Sequence, residues 1–354
     1  MPDLTRPEPD PADFPEDGDF EARAKFLLEY AVLAPSSHNS QPWRFAIGVD
    51  EIQLFADESR QLEVADPDGR ELYLSVGCAI ENLVVAAERF GFAPSVEYEH
   101  DDEGHHPDQE RDELPGDSVA GEETDGRTRL AATVTLGGEA DTSGSGDVEL
   151  FDAVIERRTN HLPFEERAVP GASFEQFEGC VTGAEVGLEF VTESSTKADI
   201  AALQTRADER QFDDPEYRAE LGHWIGTGAL GANWIAARIG QVAVRYLDLG
   251  DREGQKNSKL LTSAPAVVVI TAEDDDRTSR LQVGRTFERI ALRATAADLA
   301  VHPMSQILEV PELRARLKEV VDIEDATPMH LFRVGFAESD STRTPRRPVE
   351  AVLL

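Results

Sequence analysis

A glycine- and serine-rich stretch, residues 137–147, divides the chain into two parts. Its sequence, GGEADTSGSGD, contains no apolar run that a core could bury, and this composition is typical of a flexible linker. A single hydrophobic core rarely grows beyond about 250–300 residues. Because the chain has 354 residues, of which 40% are hydrophobic, we predict two core-forming halves, residues 21–136 and 148–354.

Both parts show the periodicities of mixed helices and strands. In the first, apolar residues at helical spacing predict helices over residues 21–33 and 69–90, with short strands between and after them. In the second, AVVVIT at residues 266–271 has the β-branched composition of a buried central strand. A Gly-Arg pair opens a long predicted helix in each part, at 69–70 and at 284–285, and indicates a weak internal repeat.

Acidic residues outnumber basic ones by 70 to 34, which gives a formal net charge of −36. This charge repels nucleic-acid backbones, so we expect no DNA or RNA partner. The acids are spread along the chain, as in proteins adapted to high salt, and we expect a salt-adapted cytoplasmic protein. Two segments are rich in Pro and acids: residues 1–20, predicted to be a disordered tail, and residues 100–126, predicted to be a mobile insertion.

The remaining composition excludes several classes of site. Cys78 and Cys180 form no CxxC pair, which excludes a disulfide scaffold and a cysteine-rich zinc site, and no metal site is predicted. The most apolar long stretch, residues 225–244, is interrupted by polar residues and glycines, so we expect no membrane span. The simpler interpretation of the region around Trp224 and Trp234 is packing of these tryptophans in the core, and the alternative is a lid over residues 205–247.

The segment APSSHNSQPW, residues 34–43, is the most informative motif. Pro35 ends a helix, and Ser36, Ser37 and Asn39 then place short polar side chains on an irregular turn. Such a turn suits the edge of a planar heteroaromatic ligand, although Ser, Asn and Pro also simply turn the chain. The motif closely resembles the signature of the flavin-dependent nitroreductase family.

Two further segments resemble the Acg-like branch of this family, in which one chain carries two nitroreductase-like halves. They are ERRTNHLPF at residues 156–164 and the closing PRRPVEAVL at residues 345–353. The resemblance covers nearly the whole chain apart from the tail and the insertion. It implies an α+β nitroreductase-like fold whose two tandem halves form an internal pseudo-dimer, either as a monomer or as a homodimer of such chains.

The family's cofactor site has separable parts, and each half carries those that the other lacks. The first half has the Pro-Ser-Ser-x-Asn turn, while the second has an Arg-Arg turn, a Met-Ser loop and a basic C-terminal segment. The resemblance therefore implies one complete FMN site per chain. The residues that it assigns to FMN are Pro35, Ser36, Ser37, Asn39, Gln41, Arg157, Arg158, Thr159, Asn160, Met304, Ser305, Arg346 and Arg347.

The chain departs from the family pattern at the phosphate turn. Thr159 stands where the family has serine, and the second arginine of the turn is missing. We expect phosphate contact from Arg157 and Arg347 in preference to their neighbours Arg158 and Arg346. For the Arg157-Arg158 pair, the alternative is an interaction with the C-terminus of the preceding helix.

The resemblance implies an FMN-dependent oxidoreductase that passes hydride from NAD(P)H through flavin N5 to a small electron-poor acceptor, such as a nitroaromatic or a quinone. No catalytic side chain is predicted, because the flavin performs the chemistry. The alternative is an FMN-binding or sequestering protein whose site is occluded. A structural protein with a degenerate site is disfavoured, since complementary parts of the site occur in both halves.

Overall fold

The computed structural model of the chain describes residues 8–99, 126–137, 147–230, 250–338 and 344–354. The predicted acidic insertion, apart from its last residue, lies outside these ranges. The interior of the predicted linker and residues 231–247 of the predicted lid lie outside them as well.

The first half folds into two helices and a four-stranded antiparallel sheet with the strand order β1-β2-β4-β3. Its elements are α1 (Phe20–Ala31), β1 (Trp43–Ile47), β2 (Glu51–Asp57), α2 (Arg70–Arg89), β3 (Ala93–Tyr98) and β4 (Thr128–Gly137). Helix α2 is buried along almost its whole length, because small and apolar residues occupy all of its faces.

The second half contains a sheet of the same kind, with the strand order β5-β6-β8-β7. Its elements are α3 (Val148–Glu156), α4 (Gly171–Glu178), β5 (Val186–Val191), α5 (Ser194–Asp213), α6 (Pro215–Gly226), α7 (Gly250–Ser263), β6 (Ala266–Ala272), α8 (Arg277–Ala296), β7 (Ala300–Pro303), α9 (Pro311–Val320) and β8 (Thr327–Gly335). Strand β6 is buried at every position, which confirms the predicted central strand.

The two halves share one topology: two antiparallel strands, a long helix and two further strands, with the same strand order in each sheet. The elements β1, β2, α2, β3 and β4 correspond to β5, β6, α8, β7 and β8. The α+β fold with two tandem halves is therefore confirmed. The register of the repeat was predicted wrongly, because Gly284 corresponds to Gly77 in the middle of α2 and not to Gly69 at its start.

Helices α2 and α8 cross at these two equivalent glycines. A Cβ atom on Gly77 would lie 2.2 Å from the carbonyl oxygen of Leu281, and one on Gly284 would lie 2.0 Å from that of Leu74. The glycines at 77 and 284 and the leucines at 74 and 281 have the same spacing in sequence, so the crossing has an approximate twofold symmetry. Only glycine permits this backbone approach, and the contact unites both halves in one core.

The C-terminal segment, predicted to belong to the second half, lies along the free edge of β1 in the first half. Phe45 pairs in parallel with Leu353. The Phe45 N–H donates to Val352 O, and its carbonyl accepts from the N–H of Leu354, both at 2.8 Å. The last residues of the predicted second half, residues 148–354, therefore lie on the sheet of the first half, and this crossover carries the basic C-terminal segment to the first half.

The N-terminal residues from 8 onward are ordered, which differs from the disorder predicted for residues 1–20. Phe14 stacks on Phe90 with 4.3 Å between ring centroids and meets Phe26 edge to face. The Asp19 side chain caps α1 by accepting from the N–H of Ala22. Phe14 thus packs this acidic segment against the core, and the Asp19 cap joins it to α1.

Candidate functional site

The turn after α1 contains an unusual backbone. His38, Asn39 and Gln41 have φ values of 50°, 51° and 51°, although none of them is glycine. This left-handed conformation is unfavourable for such residues and is found where the surrounding structure imposes it, often at functional sites. The Ser36 hydroxyl stabilises the turn by accepting from the N–H of Gln41 at 2.9 Å.

The C-terminal segment closes on this turn through polar contacts. The Asn39 side-chain amide donates to Pro345 O at 2.8 Å and accepts from Arg346 at 3.1 Å. The Gln41 side chain accepts from the backbone N–H of Arg347 at 2.7 Å, and the Arg347 guanidinium donates to Gln41 O at 3.2 Å. The predicted residues from the two ends of the chain are therefore in direct contact.

Arg346 and Arg157 meet on one backbone atom, since both guanidinium groups donate to Leu33 O at 3.2 Å. Arg157 also pairs with the fully buried Glu288 at 3.1 Å. Burial, with a smaller contribution from the neighbouring Arg157, lowers the pKa of Arg346 to about 9. Burial raises the pKa of Glu288 to about 7, so the guanidinium groups of Arg157 and Arg346 face a carboxyl group that is only partly ionised near neutral pH.

From the sequence we expected Arg157 and Arg347 to act together, but the structure places Arg157 beside Arg346. Arg346, and not Arg347, lies with Arg157, whereas Arg347 donates to Gln41 O and to Ala351 O, away from this cluster. Arg158 donates to the carbonyls of Ile155 and Arg157 at 2.6 Å. It therefore caps the C-terminus of α3, which is the alternative interaction considered for this residue in the sequence analysis.

Thr159 and Asn160 form the scaffold of the turn that follows α3. Thr159 pairs in parallel with Val301. The side chain of Asn160 donates to Glu338 O at 2.7 Å and accepts from the N–H of Leu162 at 2.8 Å. With these contacts Asn160 fixes the backbone of the turn.

The predicted Met-Ser loop meets the first half through Glu71, near the start of α2. Met304 is 1% exposed and packs in the core of the second half, so it does not line the site. The Ser37 hydroxyl donates to Glu71 Oε2 at 2.8 Å. The Ser305 hydroxyl also faces this carboxylate and, like Ser37, lowers its pKa. Residues from both halves thus converge on a buried carboxylate that the sequence did not single out.

The predicted residues therefore form two contact groups. Ser37 lies at Glu71 with Ser305 facing the same carboxylate, and Asn39 and Gln41 of the turn contact the C-terminal segment, whose Arg346 lies beside Arg157. No family model matches the chain. Over 336 residues, which are 92% of this chain and 90% of the relative, the chain is 30% identical to a Mycobacterium tuberculosis (strain ATCC 25618 / H37Rv) protein named "Putative NAD(P)H nitroreductase Rv3131". The chain belongs to the nitroreductase family.

A second relative of the same strain has the name "Putative NAD(P)H nitroreductase acg" and is 29% identical over 344 residues, or 93% of this chain and 94% of that protein. Among solved structures, the FMN-dependent nitroreductase NfnB from Mycobacterium smegmatis, in complex with NADPH, is 18% identical. It covers 58% of this chain and 96% of its own, with a TM-score of 0.41. At this similarity the match to NfnB adds no argument to that from the first relative.

Helix α6 of this nitroreductase-family chain and the last residues of α5 lie within the predicted lid, and α6 contacts the first half. The Glu220 carboxylate on α6 accepts from the N–H groups of Val64 and Ala65 at 3.1 and 2.9 Å. The Arg60 guanidinium lies over the ring of Trp224, 5.4 Å from its centroid. None of the described helices is long and apolar enough to cross a membrane.

A buried arginine that the sequence analysis did not single out, Arg333, supports the turn that follows α3. Arg333 on β8 is 0% exposed, and burial lowers its pKa to about 10. It donates to Asn160 O at 3.1 Å, to Leu162 O at 2.8 Å and to His302 Nδ1 at 3.0 Å. The only sequence signal is a charged residue within an otherwise apolar strand.

The burial of Glu309 leads us to expect that the free energy of unfolding depends on pH. Burial, with a smaller contribution from Glu71, raises the pKa of Glu309 from its usual 4.5 to about 8, and Gln211 of α5 donates to its carboxylate. The folded state therefore binds this proton more tightly than the unfolded state. The contribution of the group to stability is complete below about pH 4.5 and is lost as the pH rises toward 8.

Glu309→Gln, which imitates the protonated form, should weaken that dependence by at most about 1.4 kcal/mol per pH unit. The measurement is denaturant unfolding between pH 5 and 8 at constant high salt. Glu312→Gln on α9, an exposed position, is the matched control and should retain the wild-type slope. A Glu309→Gln slope equal to that of the control contradicts the assignment.

Proposed function

We propose that this chain is an FMN-dependent oxidoreductase that passes hydride from NAD(P)H, by way of flavin N5, to a small electron-poor acceptor such as a nitroaromatic or a quinone. The observation that carries the proposal is the contact of Asn39 with Pro345 and Arg346. It joins the turn of the first half to the basic segment of the second. These are the two parts that the family resemblance assigns to one cofactor.

The arginine pair of the site fits a phosphate group. Arg157 is buried and Arg346 is half-buried near the carboxyl group of Glu288, and the Nε atom of Arg346 has no hydrogen-bond partner among the described residues. Glu288 balances only part of the charge of the two arginines, and a phosphate dianion would neutralise the rest with charge-assisted hydrogen bonds. The residues present therefore suit the phosphate of FMN.

The two serines and the turn suit the remainder of the cofactor. Flavin, when bound, supplies the hydride chemistry. The chain positions the cofactor. Ser37 and Ser305 offer hydroxyl groups to a polar edge of the flavin ring. The left-handed turn keeps its shape through four residues: Pro35, Ser36, Asn39 and Gln41. We assign no catalytic side chain.

The test is an absorbance measurement on protein purified in high salt and saturated with FMN. We expect an absorbance band of bound flavin at about 450 nm. The band should bleach when NADPH or NADH is added in the absence of oxygen, and it should recover when a nitroaromatic or a quinone is added. Protein that never retains FMN contradicts the site assignment. Bound flavin that only dithionite reduces contradicts the reductase assignment and favours the second candidate.

The second candidate is an FMN-binding protein whose site is occluded. One contact favours it: the Asn39 side-chain amide donates to Ala229 O, which follows α6, at 2.8 Å. The chain beyond α6 thus reaches the strained turn itself, and the contacts of Glu220 and Trp224 hold α6 against the first half. A lid that stays closed excludes a nicotinamide as well as water.

Glu220→Gln distinguishes a lid that opens from a fixed cover. Loss of the charge weakens both hydrogen bonds to the backbone of residues 64–65, and such charged bonds contribute about 1.5–3 kcal/mol. We therefore expect at least about fivefold faster reduction of bound flavin by dithionite and stronger quenching of its fluorescence by iodide. Glu216→Gln, an exposed position on the same helix, should have no effect, and equal rates in both variants contradict a lid role.

We also propose a cytoplasmic, salt-adapted setting, with a small molecule as the partner of the site and one chain as its complete unit. Both cysteines are free and buried, as in a reducing compartment. The formal net charge of −36 favours a folded state that needs screening by salt. Pairing into a homodimer is not required by the site, since both parts of it come from one chain.

A further inference from the structure

Glu71 is a buried carboxylate with more partners than its place in the fold requires. It is 2% exposed. Its Oε2 atom accepts from the Ser37 hydroxyl at 2.8 Å, and its Oε1 atom lies 3.2 Å from the Arg70 guanidinium. The Ser305 hydroxyl, from the other half, faces the same carboxylate. Two halves of the molecule therefore share one acid beside the two serines of the site.

Helix capping does not account for this acid. The backbone N–H groups of Glu71 and Leu72 at the start of α2 are already satisfied by the two carboxylate oxygens of Asp66, at 3.0 and 2.9 Å. Burying a second carboxylate there is costly unless it gains compensating hydrogen bonds. Its side chain accepts from Ser37, forms an ion pair with Arg70 and is faced by Ser305, so the acid serves the site more than the helix.

We propose that Glu71 is a positioning residue, which sets the hydroxyl groups of Ser37 and Ser305 as acceptors toward the flavin and whose charge lowers the midpoint potential of that flavin. The proposal rests on the proposed FMN-dependent function. Glu71 lies in none of the motifs on which the family resemblance is based.

The orientation follows from proton counting. A serine hydroxyl has one proton and two lone pairs. Once that proton is donated to Glu71, the oxygen can only accept from a ligand, so Ser37 recognises a hydrogen-bond donor, either an N–H or an O–H group. Glu71 has a pKa below its usual value, because Arg70, His330 and the two serines outweigh the effect of burial, and it is ionised at neutral pH.

The effect on the potential follows from charge. Reduction adds electrons to the flavin, and a fixed negative charge beside the serines disfavours that added charge. Glu71→Gln removes one negative charge and leaves Arg70 in place. The reduced form should gain stability relative to the oxidised form, so the midpoint potential should shift in the positive direction.

Glu81, on the same helix, provides a matched control. It is 0% exposed and pairs with Arg285 and Arg289 of α8 at 2.9 and 2.5 Å. Ten residues of α-helix place it about 15 Å along the axis from Glu71. Glu81→Gln therefore removes a buried charge of the same kind at a distance from the site.

The experiment measures three quantities for the wild type, Glu71→Gln and Glu81→Gln: unfolding of the apoprotein, the Kd for FMN from fluorescence quenching, and the midpoint potential of the loaded protein from dye equilibration. For Glu71→Gln we expect a Kd raised about tenfold and a more positive potential. For Glu81→Gln we expect lower stability with unchanged Kd and potential. A Glu71→Gln variant with the wild-type potential overturns the proposal, and so does an equal shift in both variants.

Two further measurements distinguish a failure of the role proposed for Glu71 from a failure of the proposed FMN-dependent function. If Glu71→Gln does not fold, Ser37→Ala and Ser305→Ala take its place, and each should weaken FMN binding; wild-type Kd values in both overturn the proposal. If wild-type protein does not bind FMN at all, the proposed function itself fails. Binding by the wild type with no change in the variants removes only the role of Glu71.

Discussion

Replacing Gly77 or Gly284 by alanine should destabilise the protein by about 3 kcal/mol or more, which is the high end of the range for overpacking a core. At an exposed helical position the same change stabilises by up to about 1 kcal/mol, because alanine has the higher helix propensity. Here the new Cβ atom would lie 2.2 or 2.0 Å from a carbonyl oxygen of the other helix. The sign of the effect therefore reverses.

Urea unfolding at high salt gives the measurement, with Gly171→Ala as the control. Gly171 begins α4, and nothing lies within 4 Å of a Cβ placed on it, so its replacement should be neutral or slightly stabilising. The twofold relation also predicts similar losses for Gly77→Ala and Gly284→Ala. The double variant should lose less than the two losses combined, because one crossing is disrupted in each case. Wild-type stability in either single variant contradicts the tight crossing.

The architecture of two halves could be predicted from the sequence, whereas their register could not. A linker, a buried β-branched strand and two long helices leave marks in local composition. The pairing of Gly77 with Gly284 leaves none, because a glycine at a helix crossing is recognised only when the partner helix is known. The Gly-Arg pairs at 69–70 and 284–285 are identical in sequence but not equivalent in space.

The C-terminal crossover shows the same limit. Residues 344–354 contain no signal for pairing with Phe45, since an added edge strand gains main-chain hydrogen bonds that any sequence can make. The family resemblance assigned the arginines of this segment to the cofactor, but it did not indicate that Arg346, rather than Arg347, would lie with Arg157. Neighbouring residues in extended backbone point to opposite sides, so the choice between Arg346 and Arg347 depends on how the segment is docked.

Glu71 was missed for a different reason. An acid in the first turn of a helix is ordinary, because it interacts favourably with the helix dipole. What distinguishes Glu71 is the contact with Ser37 and the approach of Ser305, which lie 34 and more than 200 positions away in sequence. Convergence of this kind is a property of the folded chain. The motifs predicted which segments form the site, and the fold determines which atoms of them meet.

Arg346→Gln should raise the Kd for FMN by about one to two orders of magnitude, because hydrogen bonds to charged groups contribute about 1.5–3 kcal/mol each. Its guanidinium is buried beside Arg157, with Nε unpartnered among the described residues. The loss should be specific to the phosphate. Binding of riboflavin, which lacks that group, should change little, so the ratio of the two Kd values is the quantity that decides.

Arg347→Gln is the matched control, since its guanidinium donates to Gln41 O and Ala351 O and not to the arginine cluster. We expect it to retain the wild-type preference for FMN over riboflavin. Circular dichroism of both variants establishes that they fold, which matters because Glu288 loses a cationic neighbour in Arg346→Gln. If Arg347→Gln loses the preference and Arg346→Gln keeps it, the phosphate lies on the other side of the C-terminal segment. Since Arg157 lies on the Arg346 side, that result would also separate Arg157 from the cofactor.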